Sequence, residues 1–376
     1  MNYRECRIIT LYEIFKLSNK EIDLRKIFLV LGGLKNYVYT MKNKSIDVFF
    51  PSGFTDISCH NVFEKYNIEN KAVTISEFLD NYDHYKKEKE NKVFVLPFSS
   101  DVLGLRDVKL VDLTMFGQSY LPIKDVSFEE RKILLEGGED NKDYWIDMDI
   151  CKEIENRSFS LLDGLKVYII DKTAVKSNNE LTRYFEQDYL VLIAEVVNEF
   201  EICRVYEYED DLTKISGIDA YDYIIQQFTY IKSYYQSSES KLTNENSKES
   251  CEKIQQTMRV VEKYLFMEIR YFRQFILAGT DAYYRNEFLD VLKYVNELYN
   301  LKIEANIMKW TKITQKWRGI GRKLEILFTR RSNDKEYFYY CIDYLINIFK
   351  EIKELECDAM DELKCKINDF NKGAVL

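Results

Sequence analysis

The placement of proline is the sequence feature that most constrains how this chain can fold. Its three prolines, Pro51, Pro97 and Pro122, all lie in the first third of the 376 residues. Proline breaks helices because its ring clashes with the preceding turn and it has no N–H to donate. After Pro122 the chain is therefore free to form long helices, and apolar residues recur every three or four positions at 254–276, 310–328 and 345–363. This spacing is typical of helices that bury one face and predicts a helical bundle.

The first part of the chain has a different, mixed pattern. Short apolar runs predict strands at 46–50, 93–98, 108–114, 144–150, 165–171, 188–197 and 201–208. Helical spacing near 56–68, 74–88 and 127–136 separates several of these runs. The sequence therefore predicts an α+β fold with two regions, a mixed α/β region over 1–212 and a mainly helical region over 213–376. Within the second region, SSESKLTNENSKES has too little apolar content to pack, which predicts a mobile polar loop at 237–250.

Composition argues against several classes of function. A net charge of −9 and the lack of a basic tract disfavour nucleic acid as a partner. The longest apolar run, IFLVLGGL, is far shorter than the ~20 residues of a membrane-spanning helix, and the N-terminus has no signal-peptide pattern. We therefore expect no membrane partner and a cytoplasmic location. The eight cysteines have no paired spacing, which predicts thiols in a reducing compartment rather than disulfides.

Metal and cofactor chemistry have little support in the sequence. The chain has only two histidines, His60 and His84. Cys59 and His60 are adjacent, but no CxxC or HxxxH spacing supplies the further ligands that a zinc site requires. We therefore expect neither a metal nor a cofactor.

Cys6 is the first candidate for a functional residue. It precedes RIITLYEIF, in which Ile8, Leu11, Ile14 and Phe15 recur at helical spacing, so the sequence predicts a short helix with Cys6 near its first turn. The positive end of the helix dipole lowers the pKa of a thiol and favours the nucleophilic thiolate. Cysteine is also among the most buried residue types and usually behaves as a small apolar side chain. The position of Cys6 alone does not decide between a reactive thiol and a buried structural thiol.

Five segments of the chain follow the pattern of a known family. They are REC…LYEIFKL and IFLVLGGL near the start, and IRYFRQFI, WTKITQKWRGIGRKL and IFKEIKELECDAMDELKCKI in the last third. On these segments the chain resembles the family of butirosin biosynthesis protein H, over nearly its whole length. Members of that family are similar to papain-like cysteine peptidases adapted to acyl transfer. The resemblance implies a papain-like mixed N-terminal region.

The resemblance also implies a chemistry. A helix-borne cysteine would attack a thioester on an acyl or peptidyl carrier protein, and the acyl group would pass to a small-molecule amine acceptor. The pathway would produce a secondary metabolite of the peptide or aminoglycoside type. Carried over by position, Cys6 would be the nucleophile and Asp112 the orienting acid. The histidine of the family pattern is missing here, because Phe98 to Asp101 occupy its place, so His60 would have to act from elsewhere.

Two hypotheses about function follow. In the first, the chain is an acyltransferase that uses Cys6, His60 and Asp112. In the second, it is a catalytically degenerate family member that binds a carrier protein or a pathway enzyme without chemistry. The missing histidine leaves turnover undecided, although a thiolate is nucleophilic even without a base.

Two further predictions concern charged residues within the recurring apolar segments of the C-terminal region. Glu356 lies in the middle of the row of apolar residues at 345–363, called the 345–363 stripe, so we expect a buried carboxylate with a partner. Arg273 is the first choice for that partner, and the indole N–H of Trp310 or Trp317 is the second.

The second prediction concerns the helix around Trp317. Its helical repeat places Arg318 and Arg322 on one side, and we expect that side to face solvent. Such a basic strip could receive an acidic carrier protein.

Overall fold

The computed structural model describes most of the chain. The described residues are 6–17, 22–31, 33–34, 37–42, 47–52, 68–98, 119–136, 143–155, 166–207, 212–244, 247, 250–256, 272–273, 276, 282–329 and 335–373.

Ten strands lie in these residues and form two antiparallel sheets. They are β1 (Tyr37–Lys42), β2 (Asp47–Ser52), β3 (Asn70–Thr74), β4 (Lys92–Phe98), β5 (Ser119–Ser127), β6 (Lys132–Leu135), β7 (Tyr144–Asp147), β8 (Lys166–Asp171), β9 (Arg204–Glu207) and β10 (Leu212–Ser216). One sheet has four strands in the order β2-β1-β10-β9, and the other has six in the order β3-β8-β4-β5-β6-β7. Every neighbouring pair in both sheets is antiparallel.

The main helices of the described residues alternate with strands at first and then follow one another. They are α1 (Cys6–Leu17), α2 (Leu24–Val30), α3 (Ile75–Asp80), α4 (Tyr82–Glu88), α5 (Met148–Glu155), α6 (Lys172–Ser177), α7 (Asn179–Glu186), α8 (Tyr189–Glu201), α9 (Asp219–Asn244), α10 (Arg285–Tyr299), α11 (Glu304–Thr329) and α12 (Lys335–Gly373). The fold is therefore α+β, with a helical C-terminal part, as the sequence predicts.

The chain forms two compact units. The first contains residues 1–31 and 55–188, and the second contains residues 32–54 and 189–376. The division into domains at residue 212 stays a prediction.

The first unit is built on the six-stranded sheet. Side chains of α3, α4 and α5 pack with residues of the sheet in one apolar cluster. Phe78 of α3 lies within it, with its ring centroid 5.4 Å from those of Tyr85 and Phe94. Helix α1 packs against β5, α2 and α6.

The second unit combines the four-stranded sheet with long helices. Helix α9 packs against β10, β1 and β2 and also against α12. Helix α12 contacts α8 and α11 as well, and α10 packs against α11. The long C-terminal helix is thus the element that the other helices share.

Two elements predicted in the mixed region are wrong. Residues 188–197 are predicted as a strand, but α8 covers Tyr189 onward. A short apolar run is ambiguous between a strand and a buried helix, and here the buried positions fall at helical spacing. Residues 127–136 are predicted as a helix, but they form a turn followed by β6, in which Ile133 and Leu135 are buried in alternation with half-buried neighbours.

The predicted strand at 144–150 and the predicted loop at 237–250 are wrong in part. Strand β7 ends at Asp147, and α5 begins at Met148. Helix α9 continues through Asn244, so the first eight residues of the expected loop are helical. Contacts hold this segment in place, because Ser238 is buried and the Tyr339 hydroxyl donates to Glu239 Oε2 at 3.1 Å. The elements predicted at 56–68 and 108–114, and most of the 254–276 stripe, lie outside the described residues.

A buried ion pair joins four helices of the second unit. Glu356 of α12 is fully buried, as the sequence predicts. Arg285, the first residue of α10, donates from Nε to Oε1 at 2.7 Å and from Nη2 to Oε2 at 2.9 Å. Trp317 of α11 donates from Nε1 to Oε1 at 2.9 Å, and the hydroxyl of Tyr221 of α9 donates to Oε2 at 2.7 Å. Each carboxylate oxygen therefore accepts two hydrogen bonds.

The surroundings keep Arg285 charged and the hydroxyl of Tyr221 protonated. Burial alone would lower the pKa of Arg285, but the carboxylate of Glu356 outweighs burial, so the pKa of Arg285 is raised. Burial raises the pKa of Tyr221 well above its usual value, so its hydroxyl stays protonated and can donate. The guanidinium of Arg285 also lies close to the rings of Tyr283 and Trp317, with its central carbon 5.0 and 4.8 Å from their centroids.

The first choice of partner for Glu356 is wrong, and the second is right for Trp317. Arg273 donates from Nη1 to Glu325 Oε1 at 2.8 Å instead. The indole N–H of Trp310 has no hydrogen-bond partner among the described residues. Helical spacing gives the buried face of one helix, but it does not say which residue of another segment lies opposite.

Replacing Glu356 by alanine should lower the free energy of unfolding by roughly 3 kcal/mol or more, because it leaves the buried Arg285 cation without its partner. Glu325→Ala is the matched control, because its pair with Arg273 is partly exposed, the Glu325 side chain being 46% exposed. The control should change stability by less than about 1 kcal/mol. Denaturant unfolding of both variants measures the difference, and equal losses would contradict the prediction.

Gly217 should be intolerant of a side chain. It connects β10 to α9 with φ of +73°, and a Cβ there would lie 2.7 Å from the carbonyl oxygen of Ile202 and 2.9 Å from that of Phe200. We expect Gly217→Ala to destabilise the protein by more than about 1 kcal/mol. Gly319→Ala, within α11, should instead stabilise it by up to about 1 kcal/mol, because the nearest atom is Tyr344 Oη at 3.5 Å. Equilibrium unfolding measures the change in the free energy of unfolding of each variant. A change of the same sign in both variants would refute this account.

Candidate active site

Helix α1 places Cys6 at its N-terminus. Among the described residues α1 runs from Cys6 to Leu17, and the first turn of that stretch has no acidic residue. Its apolar positions Ile8, Leu11, Ile14 and Phe15 are each at most 1% exposed, so packing holds the helix. The ring of Phe15 meets that of Phe185 edge to face, with 5.0 Å between centroids.

This position is chemically favourable for a reactive thiol. The first backbone N–H groups of a helix have no intrahelical partner, and the dipole is positive at this end. Both effects stabilise a thiolate and lower the pKa of a cysteine there. No carboxylate in the first turn of α1 opposes them.

The other two predicted site residues, His60 and Asp112, lie outside the described residues. Phe98, the first of the four residues 98–101 that stand in place of the histidine of the family that the chain resembles, is the last residue of β4. The grouping of Cys6 with His60 and Asp112 in one site therefore stays a prediction.

Six other cysteines provide a contrast with Cys6. Cys151 and Cys341 are buried, Cys251 and Cys357 are half-buried, and Cys203 and Cys365 are exposed. Burial raises the pKa of Cys203 and of Cys357. For these two thiols the surroundings disfavour the thiolate.

A polar cleft of about 440 Å³ lies beside α4 in the first unit. The charged side chains that line it are Glu69, Glu77, Glu88, Asp171, Lys71 and Lys92. Lys92 Nζ lies 2.7 Å from Glu88 Oε2, and Lys71 Nζ lies 3.4 Å from Glu77 Oε1. The two lysines of the cleft are thus each paired with one of its carboxylates.

His84 also lines this cleft. It lies on α4 with its side chain 69% exposed, and its Nε2 is 3.8 Å from Glu88 Oε2. The hydrogen bond from Lys92 is the main cause that lowers the pKa of Glu88, and the charges of Lys92 and His84 add to it. Within the described residues, no group of three or more histidine, cysteine or acidic side chains could hold a metal ion.

Sequence reasoning missed the cleft because it treated NYDHYKKEKE as a charged run. The spacing of His84 and Glu88, four residues apart on α4, was the available signal, since side chains at i and i+4 of a helix are neighbours. Spacing could not show that Lys71 of β3, Asp171 of β8 and Glu69, just before β3, come to the same place.

Comparison with known proteins gives no assignment, because no family model and no curated protein sequence matches the chain. No helix among the described residues combines the length and apolar character needed to cross a membrane.

The ion pair in the cleft should be visible as a change in one pKa. Lys92→Met should raise the pKa of Glu88 toward the value of about 4.3 for an exposed glutamate, because the neighbouring cation favours the charged carboxylate. Carbon-13 NMR of the Glu88 carboxyl across a pH series measures it. Lys86→Met is the control, because Lys86 lies on the same helix and its Nζ is 4.0 Å from Asp125. Equal shifts in both variants would contradict the geometry.

Proposed function

We propose that this chain is an acyltransferase-like protein of a secondary-metabolite pathway, with a papain-like N-terminal region. It transfers an acyl group from the thioester of an acyl or peptidyl carrier protein to a small-molecule amine, through Cys6. The observation that carries the proposal is that Cys6 opens α1 and that this helix packs against β5 of an antiparallel sheet. The family resemblance implies a helix-borne cysteine in a papain-like mixed region.

The proposed reaction has two steps. The Cys6 thiolate attacks the thioester carbonyl, a new C–S bond forms to Cys6, and the carrier's thiol leaves as its old C–S bond breaks. The amine then attacks the acyl-cysteine, the amide forms, and the Cys6 thiolate is released. A base takes the proton that the amine loses. Acyl transfer of this kind needs no oxidant, reductant or metal.

We propose His60 as the base and Asp112 as the residue that orients it. His60 is the choice because the position of the family's histidine is occupied by Phe98 to Asp101. The imidazole has the pKa that this role requires, since it can accept and return a proton near neutral pH.

The missing histidine also supports the second candidate function. In that case the chain is a catalytically degenerate relative that binds a carrier protein or a pathway enzyme. The sequence Phe98 to Asp101, which has no imidazole, is the specific observation in favour of this alternative.

Selective alkylation tests whether Cys6 is activated. Across a pH series from about 6 to 9, iodoacetamide should label Cys6 faster than Cys365. The pH at which the labelling rate of Cys6 reaches half its maximum should lie below the pKa of ~8.5 of an ordinary cysteine. Cys365 is a suitable internal control because it is exposed. Mass spectrometry locates and quantifies the label. Labelling of Cys6 no faster than that of Cys365 would remove the support for a nucleophile.

Mass spectrometry of the intact protein then separates the two candidate functions. An acyl-carrier thioester should leave its acyl group on the wild-type protein but not on Cys6→Ala, and His60→Ala should slow transfer to an added amine. Carrier binding without an acyl-cysteine favours the degenerate relative.

A further inference from the structure

Helix α11 has an outward face with an unusual composition. Met308, Lys312, Gln315 and Arg322 are all exposed, and Met308 is 68% exposed. At about 100° per residue these side chains lie within about 40° of the direction of Met308. The face extends over about 21 Å from Met308 to Arg322, at 1.5 Å per residue. Between Met308 and Arg322 its exposed side chains are one apolar side chain, one amide and two cations, and the half-buried Gly319, which Tyr344 of α12 approaches, lies on the same face.

The cations on the two sides of this face have partners. Lys309 pairs with Asp358 at 2.7 Å and with Glu362 at 2.9 Å. Lys316 pairs with Glu351, so both lysines are tied to α12. On the other side, Arg318 donates from Nη2 to Asn286 Oδ1 at 3.3 Å. Arg318 is half-buried, so it is not part of a solvent-facing strip, which corrects the prediction for that residue.

Lys312 and Arg322 differ from these neighbours. Neither has an ion-pair or hydrogen-bond partner among the residues that the structure describes. Both are exposed, in a chain whose net charge is −9. An exposed methionine with Lys312 one turn away and Arg322 about 21 Å from the methionine along the same face is complementary to an acidic surface that carries apolar side chains. Methionine and arginine are also enriched at protein interfaces.

We propose that the outward face of α11 binds an acidic helix of the carrier protein. This inference rests on the proposed function, since it takes the carrier protein of that proposal as the occupant. Met308 contacts an apolar side chain of the partner helix, and Lys312 and Arg322 pair with its carboxylates. Because both cations are exposed, the attraction increases the rate of encounter and weakens as salt is added.

Charge reversal tests the inference. The double variant Lys312→Glu and Arg322→Glu is titrated with a purified, phosphopantetheinylated acyl carrier protein by isothermal calorimetry, at about 25 and 250 mM NaCl. We expect wild-type binding to weaken with salt, and the double variant to bind at least tenfold more weakly at low salt. The control is Lys366→Glu with Lys372→Glu, which changes charge equally at exposed positions of α12 and should bind within about twofold of wild type.

The outcomes separate this inference from the proposed function. Wild-type affinity in the Lys312/Arg322 variant, equal losses in both variants, or no wild-type binding at low salt would each overturn the docking face. Cys6→Ala should bind the carrier with wild-type affinity while forming no acyl-cysteine. If the docking result holds but wild type forms no acyl-cysteine, the docking face stands and catalysis fails.

Discussion

The helical unit depends on how the charge of Glu356 is satisfied. Removing a carboxylate from water costs several kcal/mol, and the interior returns that energy only when hydrogen bonds are complete and well directed. Here the carboxylate accepts two hydrogen bonds from Arg285, one from Trp317 and one from Tyr221. The donors come from α9, α10 and α11, while the acceptor is on α12. An apolar contact tolerates small rotations, but this set of bonds requires each of the four helices to keep one orientation.

The chain accepts backbone strain to bring Arg285 into place. Ala282, Tyr283 and Tyr284 have φ of 61°, 56° and 66°, in the left-handed region that costs non-glycine residues roughly 1 to 2 kcal/mol each. The turn is held by its own bonds, since Arg285 Nη1 donates to the carbonyl oxygen of Tyr283 at 2.7 Å. Tyr283 also stacks on Trp317, with ring centroids 4.7 Å apart. Burial of these rings and completion of the ion pair offset the strain.

These contacts show which features sequence reasoning can reach. The burial of Glu356 and the place of Cys6 at the start of α1 were predictable, because each depends on spacing within one helix. Arg285 was not, because it follows a left-handed turn that interrupts any periodic pattern. The apolar run at 188–197 predicts a strand where α8 forms, because such a run fits both a strand and a buried helix. For the candidate site, local spacing indicates Cys6 as a candidate nucleophile, whereas any partners of that thiol depend on tertiary structure that no local pattern encodes.

The buried bond and the proposed docking face are connected through α11. Trp317 and Met308 are nine residues apart, which places them about 180° from each other around the helix axis. The hydrogen bond from Trp317 to Glu356 therefore fixes the rotation of α11 at its inner face and, with it, the direction of Met308 on the outer face. Lys309 and Lys316 reinforce the same rotation from the side through their pairs with α12. A rigid partner helix can match Lys312 and Arg322 together only if their directions are constant, and the polar core of the unit provides that constancy.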